Sequence, residues 1–427
     1  MRKILQKILK TLTKPVLNKY KPVIIAVTGS VGKTSTKEAI YYVLKSHFGE
    51  KEVRRNQRNY NNEIGVPLTI FGLETAGRSI LRWLIRFIKI FWMMIFRVSY
   101  PGFLVLEMGA DRPGDIKYLT DFVHPKIGLI AAVGEIPVHV EFFEDTQELA
   151  REKRNLIACL KDDEVAILNY DDDTVRCLGE GVKAKILTYG LKDKADVRAT
   201  NCDLKFGING NVSELNFKLE FKGSTVPAKL FNVLGVQHLY SVLGATAVGI
   251  VFGINLVEIA EALKEIQPLP GRMHLILGVK RTLIIDDSYN AALLSMEAAL
   301  ESLNIFEKDS FAAGHRRKIV ILGDMLEIGE YAPEAHRRVG RKAFEVSDLI
   351  FTVGPRAKFI AESAIKYGFD EKKVFQFDVS EDAAKVVQEQ IEEGDIILVK
   401  GSRAMRMEKI IKEIMAEPEK AKELLVA

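Results

Sequence analysis

Residues 23–36 read VIIAVTGSVGKTST. Five apolar residues, 23–27, run into a glycine turn, and Lys33 and Thr34 follow it. An unbroken apolar run is how a strand buried on both faces reads. A strand feeding a Gly-rich turn that opens a helix is the setting of a phosphate cradle. The common pattern G-x-x-x-x-G-K-[ST] needs a glycine five positions before Gly32, and Val27 stands there. The rest of the chemistry is in place. Gly29 and Gly32 permit a tight turn and close backbone approach. Successive N–H groups at a helix N-terminus offer partial positive charge to phosphates. On this reading Thr28, Gly29, Ser30, Gly32, Lys33, Thr34 and Ser35 line a nucleotide site. Lys33 neutralises the β- and γ-phosphates of ATP, and the Thr34 hydroxyl ligates Mg²⁺. The competing reading is a structural turn.

Outward from this turn, strands and helices alternate. A helix is expected at 35–48, strands at 103–109 and 126–134, a helix at 148–160 and a strand at 164–169. That order argues a doubly wound, mostly parallel α/β domain. Residues 195–232 read as short strands forming an antiparallel edge, and helices follow at 238–252 and 256–265. QPLPGR (267–272) supplies two prolines and a glycine, a linker composition. The alternation then restarts with TLIIDD, KIVILGD, LIFTVG and IILVKGS, which reads as a second, Rossmann-like α/β domain. The expected organisation is a basic amphipathic helix over 1–20, a P-loop domain over 21–268 carrying an inserted helix at 76–100, and a C-terminal domain over 269–427.

Bulk composition agrees with a globular protein of this size. The chain has 427 residues, 48% hydrophobic and 28% charged, room for two or three domains. Its 61 basic and 57 acidic residues leave a net charge of +4, too balanced to imply a nucleic-acid partner. Cys159, Cys177 and Cys202 show no C-x-x-C spacing; a disulfide framework or zinc site is not suggested, and a reducing cytosol fits. No small-residue cleavage site follows the N-terminal apolar residues, which argues against a signal peptide.

Two basic amphipathic stretches stand apart. Within 1–20, Lys3, Lys7, Lys10 and Lys14 fall on one helical stripe, and Pro15 is expected to interrupt the helix. RSILRWLIRFIKIFWMMIFRV (78–98) is long and apolar, yet Arg78, Arg82, Arg86, Lys89 and Arg97 share one arc of it. Cations along its whole length argue against a spanning helix and for one lying on a membrane surface. The alternative is a helix packed on the protein or a partner, with a solvated basic edge.

Polar residues at strand ends supply the remaining candidates. Glu107 ends the strand FLVLEMG, placed to hold Mg²⁺ directly or through water; alternatively it is a surface charge. His139 follows the next strand on the same sheet edge, where a metal role competes with a structural one. NYNNEIGVPLT (59–69) gathers amides and an acid, among them Asn61, Asn62 and Glu63, before a Gly-Pro turn; it suits polar ligand recognition or a plain loop. Asp286 and Asp287 end LIIDD in the second domain, and ILGDMLEIGE and LVKGSRAM are further strand-to-turn transitions of the kind that bind ligands.

Read in order, NNEIGVPLT, LEMGADRPGDIKYLT, PLPGRM, IDDSYNA, LGDMLEIGE and VKGSRAM resemble segments of the Mur ligases, MurF type, from about Pro22 to Arg406. That family's P-loop is T-G-[ST]-x-G-K-[ST], which Thr28–Thr34 matches, so Val27 is no defect within it. The resemblance implies an ATP-dependent ligase of peptidoglycan synthesis. It would form an acyl phosphate on a muramoyl-peptide carboxylate and join a dipeptide such as D-alanyl-D-alanine to it, using ATP and two Mg²⁺ ions. It implies Lys33, Glu107, His139 and Lys153 as catalytic residues, with Thr34, Glu107, His139 and Lys153 on the metals. Lys153, in LAREKRNL, matches a lysine that the family carbamylates; the sequence alone reads it as a solvated helix residue. Arg272, Asp287 and Asn290 are implied as nucleotide contacts of the second domain, and Lys400, Ser402 and Arg403 as a substrate-side turn. The chain departs from the family at three places. Only about 20 residues precede the P-loop strand, where the family has a UDP-sugar domain, so a lipid-linked substrate met at the membrane becomes an alternative to a small-molecule one. The adenine-side pattern G-x-H-N-x-x-N reads GVQHLYS, with Gln237, His238 and Ser241 at the polar positions. The 78–98 helix replaces a short connection. A cytoplasmic protein, peripheral on the inner face of the plasma membrane, is expected. The other readings are a related ligase acting on a different acid, of the folylpolyglutamate- or cyanophycin-synthetase kind, and a non-catalytic ATP-binding subunit.

Overall fold

The computed structural model describes residues 2–57, 60–206, 212–306 and 316–426. Asn59, one of the loop amides considered above, lies outside them.

The apolar run after Pro22 forms β1 (Val23–Thr28), its side chains buried on both faces from Ile24 onward. It lies inside a nine-stranded sheet. β2 (Val53–Arg55), β3 (Phe103–Glu107), β4 (Ile127–Ile130), β5 (Val165–Asn169) and β6 (Lys185–Gly190) run parallel with it. β7 (Val197–Phe206), β8 (Val212–Phe221) and β9 (Ser224–Phe231) complete the sheet, in the order β2-β3-β1-β4-β5-β6-β7-β8-β9. β7, β8 and β9 pair antiparallel and form the expected edge. They are longer than expected, ten residues each in β7 and β8, because β8 pairs with a strand on either side.

β1 sits between β3 and β4, with Val27 opposite Glu107 and Thr28 opposite Ile130. The chain leaves β1 toward one side and later returns on the other. This is the topological switch point, where parallel sheets leave a crevice at the carboxyl ends of the strands. The P-loop and Glu107 are therefore neighbours by register.

Helices cover the sheet. α1 (Arg2–Tyr20), α2 (Lys33–Phe48), α3 (Gly65–Phe71), α4 (Ile80–Ile95), α5 (Asp115–Thr120), α6 (Thr146–Ala158) and α7 (Asp173–Leu178) precede β7; α8 (Gln237–Val251) and α9 (Leu256–Leu263) follow β9. α2 and α8 pack on one face of the sheet around Ile40, Leu44, Leu243 and Ala247. α1, α3, α4 and α5 share the other core with Ile24, Leu104 and Leu106.

Pro15 does not interrupt α1, contrary to expectation: the helix runs through it to Tyr20. A mid-helix proline costs roughly 3 kcal/mol. Here Leu9, Thr13 and Val16 are buried on one face, and the Thr13 hydroxyl donates to the Leu9 carbonyl at 2.8 Å. Packing on both sides of Pro15 outweighs the lost backbone bond.

Beyond the proline-containing linker lies a six-stranded sheet. It is built from β10 (His274–Leu277), β11 (Leu283–Asp287), β12 (Lys318–Gly323), β13 (Leu349–Val353), β14 (Val374–Phe377) and β15 (Ile396–Lys400), in the order β10-β11-β15-β12-β13-β14. All neighbours are parallel except β10 with β11. α10 (Leu293–Glu301) and α11 (Ala332–Val346) pack beside Val320 and Leu322. The two sheets share a boundary core, in which Val133, Ile136 and Val140 meet Met273, Leu293 and Met325.

Candidate active site

Gly29 and Gly32 adopt φ of +148° and +84°. A Cβ on Gly29 would lie 2.9 Å from the Ala132 carbonyl oxygen, so only glycine fits there. The same carbonyl accepts the Ser30 amide at 2.6 Å and the Val31 amide at 3.2 Å, stitching the turn to the segment after β4. No side chain caps the start of α2, so the amides of its first turn have no partner within the helix. They face the place where phosphates would bind.

Lys33 folds back over the turn, its Nζ 2.7 Å from the Gly29 carbonyl and 3.1 Å from that of Ser30. Burial lowers its pKa, and Arg272 lowers it further, while Glu107 and Asp111 oppose the shift. Lys153 reaches the same Gly29 carbonyl from α6, at 3.3 Å. It is 1% exposed, not the solvated residue that sequence pattern alone suggests. Burial first, and then the Lys33 charge, bring its pKa down to about 7. Burial thus favours the uncharged amine at this position.

Glu107 is 4% exposed. Asn61 Nδ2 donates to its Oε1 at 3.1 Å, and Lys37 Nζ lies 4.0 Å from its Oε2. Asn56 fixes the backbone beneath it: Asn56 Oδ1 accepts the Glu107 amide at 2.5 Å, and Nδ2 donates to the carbonyls of Tyr60 and Glu107. Lys37 Nζ in turn donates to the Asn56 carbonyl at 2.8 Å and pairs with Glu38 at 3.2 Å. Sequence reasoning missed both residues. Lys37 carried a faint signal, a lysine on the apolar face of α2; Asn56 carried none.

The second sheet reaches into this crevice. Arg272 Nη2 donates to the Thr34 hydroxyl at 3.1 Å, and its guanidinium stacks 4.2 Å from the Tyr289 ring centroid. Behind it, Asp286 accepts the amides of Gly271 and Ser288, both at 3.0 Å, and Asp287 Oδ1 accepts that of Met273 at 3.2 Å. Burial raises Asp286 to about 6. Lys400, 2% exposed, pairs with Asp287 at 2.6 Å and donates to the Asn290 carbonyl at 3.0 Å. His238 sits at the start of α8, and its Nε2 is buried without a hydrogen-bond partner. Burial brings it to about 4, against the pull of Asp287 and with the push of Arg272.

The other candidates are placed less centrally. Thr28 is fully buried and its hydroxyl donates to the Met108 carbonyl at 2.8 Å, which supports the turn from below. The Ser30 hydroxyl is buried and unpartnered. Asn62 Oδ1 accepts the amides of Ile64 and Gly65 and opens α3. Glu63 is engaged by α1 through Gln6 at 3.0 Å and Arg2 at 3.8 Å. Ser402 is 3% exposed and accepts the Leu326 amide, while Arg403 pairs with Glu408 at 3.1 Å. Asn290 is exposed, its Oδ1 on the Ala291 amide. His139 has φ of +74°. Its Nδ1 lies 2.8 Å from Glu327, an ion-pair approach off hydrogen-bond alignment, and its Nε2 3.6 Å from Asp111. Among the described residues no contact joins His139 to Glu107; Asp111 stands between it and the lysines.

Mg²⁺ fits the donor set tested this way. Glu107 and Thr34 offer hard oxygens beside the amides of α2. Mg²⁺ commonly takes one or two protein oxygens and completes its shell with phosphates and waters. No group of three or more His, Cys, Asp or Glu gathers as a closed metal cage among the described residues.

The chain has relatives among known proteins. The Mur ligase middle domain pattern matches residues 27–81 and 93–249, and the Mur ligase glutamate ligase domain pattern matches 271–403. The UDP-N-acetylmuramoyl-tripeptide–D-alanyl-D-alanine ligase of Bacillus subtilis is 29% identical over 412 residues, covering 96% of this chain and 79% of the relative. The crystal structure of MurF from Thermotoga maritima in complex with ADP superposes with a TM-score of 0.77 at 25% identity, over 97% of this chain and 84% of that one. MurF from Acinetobacter baumannii gives 0.76 at 25% identity, over 95% and 79%. With two family domains matched in order across both sheets, the chain belongs to the Mur ligase family.

Proposed function

We propose that the protein is an ATP-dependent amide ligase of peptidoglycan synthesis, which joins D-alanyl-D-alanine or a similar dipeptide to a muramoyl-peptide carboxylate. The observation that carries this reading is the meeting of Lys33, Lys153 and Glu107 at the P-loop with Arg272 reaching Thr34 from the other sheet.

The chemistry follows in two displacements. A carboxylate oxygen of the acceptor peptide attacks the γ-phosphorus of ATP, the bond to the β–γ bridging oxygen breaks, and ADP leaves. The dipeptide amine then attacks the acyl carbon, the carbon–oxygen bond to phosphate breaks, and the amine gives up a proton. Such transfers are accelerated chiefly by positioning and charge neutralisation. Lys33 and the first-turn amides of α2 hold the phosphates in line. Arg272 adds a cation from the second sheet, and its contact with Thr34 ties closure of the crevice to an intact P-loop. Asn61 orients Glu107. Thr34 and Glu107 would hold Mg²⁺, which would neutralise phosphate oxygens; a carbamate on Lys153, whose amine feels the Asp111 charge, would hold a second ion. The protein works in the cytoplasm at the inner face of the plasma membrane, on an acceptor that is either a soluble nucleotide-linked peptide or a lipid-linked one.

Phosphate release with Mg²⁺-ATP, bicarbonate, UDP-muramoyl tripeptide and D-alanyl-D-alanine tests this. Release that needs both substrates and vanishes in Lys33→Ala is expected. Release that ignores the dipeptide, or survives in Lys33→Ala, overturns the reading.

A further inference from the structure

α4 turns its most apolar face away from the protein. Ile80, Leu81, Ile88, Phe91, Trp92 and Ile95 are 80, 69, 59, 53, 57 and 70% exposed. At about 100° per residue they occupy one broad arc. Ile90, which is buried, and Trp83, Phe87 and Met94, which are partly buried, occupy the neighbouring arc and pack into the core shared with α1. Arg82, Arg86 and Lys89 line one flank between the two faces, and Arg78 and Arg97 stand at the ends. From Thr75 to Leu106 the chain has no acidic residue. None of the five cations makes an ion pair among the described residues.

This face is held outward. Lys19 Nζ donates to the carbonyls of Met93, Met94 and Phe96, at 2.9, 3.1 and 2.6 Å, and the Tyr20 hydroxyl donates to that of Met93 at 3.0 Å. The last carbonyls of α4, which lack partners in any helix, are thus fastened to the end of α1. At the other end the Ser79 hydroxyl caps the Arg82 amide, and Trp83 Nε1 donates to the Gly77 carbonyl. The family pattern skips residues 82–92, so the exposed part of α4 is an addition to the shared fold.

A second copy of the chain is a poor occupant for this face, since it would bring one acid-free basic flank against another. Exposed apolar residues that include Trp92, beside a basic flank, match an anionic lipid surface, where aliphatic side chains enter the acyl boundary and cations meet headgroups. No helix among the described residues is long and apolar enough to cross a membrane. We infer that α4 lies in the interface of an anionic bilayer with its Ile80–Ile95 face inserted, and that α1 carries this placement to the acceptor side of the crevice. α1 shares the clamp on α4 and touches Glu63 through Gln6, while Asn61 of the same loop touches Glu107. The acceptor class this favours is a muramoyl peptide anchored in that bilayer. That last step rests on the ligase reading; the lipid contact stands without it.

The test is co-sedimentation of the full chain with vesicles of phosphatidylcholine alone and with about one third phosphatidylglycerol. Binding to the anionic vesicles, weakened at least tenfold by high salt and at least tenfold in Ile88→Asp/Trp92→Glu, is expected. Arg82→Glu/Arg86→Glu is a second variant, altering only the flank, and should lose the salt-sensitive part. An unchanged melting temperature in both variants keeps misfolding from imitating the result. Wild-type protein that stays in the supernatant, or binding untouched by both variants, overturns the inference. So does a dimer in sedimentation velocity that the apolar variant dissolves. Lipid binding without dipeptide-dependent phosphate release on either a UDP-linked or a lipid-linked muramoyl peptide would leave the lipid contact standing and refute the ligase reading instead.

Discussion

Asn56 is the residue through which the fold sets the position of Glu107, and replacing it by leucine removes its amide while keeping the branching and the number of side-chain heavy atoms. The side chain is 1% exposed. Its loss strips the Glu107 amide of its acceptor and the Tyr60 carbonyl of a donor; the longer bond to the Glu107 carbonyl, 3.3 Å, adds little. A buried polar group left without a partner costs about 1–3 kcal/mol. Two such groups predict a loss of about 2–6 kcal/mol for Asn56→Leu. The contact from Lys37 goes to the Asn56 backbone carbonyl and survives the substitution, so the pocket keeps its cation. Urea denaturation followed by circular dichroism measures the loss, with Asn62→Ala as a control that removes only the bonds opening α3 and should cost about 1 kcal/mol. Because Glu107 moves with its backbone, dipeptide-dependent phosphate release should fall at least tenfold in kcat in Asn56→Leu while the control stays within a factor of about three. A stability loss under about 0.5 kcal/mol together with unchanged kcat would refute the argument that Asn56 supports Glu107.

Three further outcomes follow from the same contacts. Arg272→Ala removes a charged hydrogen bond to Thr34, worth about 1.5–3 kcal/mol, and should lower kcat/KM for ATP by about 10- to 100-fold with little change in melting temperature. Lys153 has a folded pKa of about 7 against 10.5 for a free lysine, so between those values the unfolded chain binds a proton that the native protein does not. Stability should therefore rise with pH across that window in metal- and CO₂-free buffer, a slope that Lys153→Met flattens in pH-resolved urea midpoints. His336 is fully buried, its Nε2 accepting the Met325 amide at 3.0 Å. Burial holds it at about 4, below its unfolded 6.5. Stability should accordingly drop as pH falls from about 6.5 to about 4, and the histidine signal in NMR titration should show no protonation above pH 5.

What was legible in the sequence was whatever depends on local pattern. β1 and the P-loop announce themselves because a strand buried on both faces must be apolar throughout and the turn after it must contain glycine. The antiparallel edge and the restart of alternation after QPLPGR were legible for the same reason. β2 has three residues and β10 has four, too short for a period to register. Pro15 misled because its penalty is local while the packing that overcomes it comes from α3 and α4. The site divides likewise. Lys33, Glu107 and Arg272 come close enough to act on one another's charge. The buried state of Lys153 depends on the fold bringing α6 over Gly29, 124 residues away. Ser402 and Asn62 look like ligand groups because polar residues in turns do, yet their side chains satisfy backbone amides of neighbouring segments.

The placement of Arg272 is the step that turns two sheets into one site. An arginine on a flexible linker would lose much of its value to the entropy of ordering it. Here the residues around it are pinned from behind. Gly271 adopts φ of +70°, and a Cβ there would meet the Tyr289 amide nitrogen at 2.9 Å, so the turn closes tightly enough for the Tyr289 amide to donate to the Gly271 carbonyl at 3.0 Å. Asp286 and Asp287 hold the amides on either side of Arg272, and Lys400 from β15 neutralises Asp287. Burying the Asp286 carboxylate is unfavourable, as its elevated pKa shows, and two adjacent carboxylates repel. The fold accepts that cost where β11 ends beside the linker. The return is a guanidinium stacked on Tyr289 and aimed at Thr34 before any substrate arrives, so that crevice closure needs no search for its position. On this argument the rigidity of the 271–273 turn, more than the prolines of the linker before it, sets how closely the second sheet can approach the phosphates.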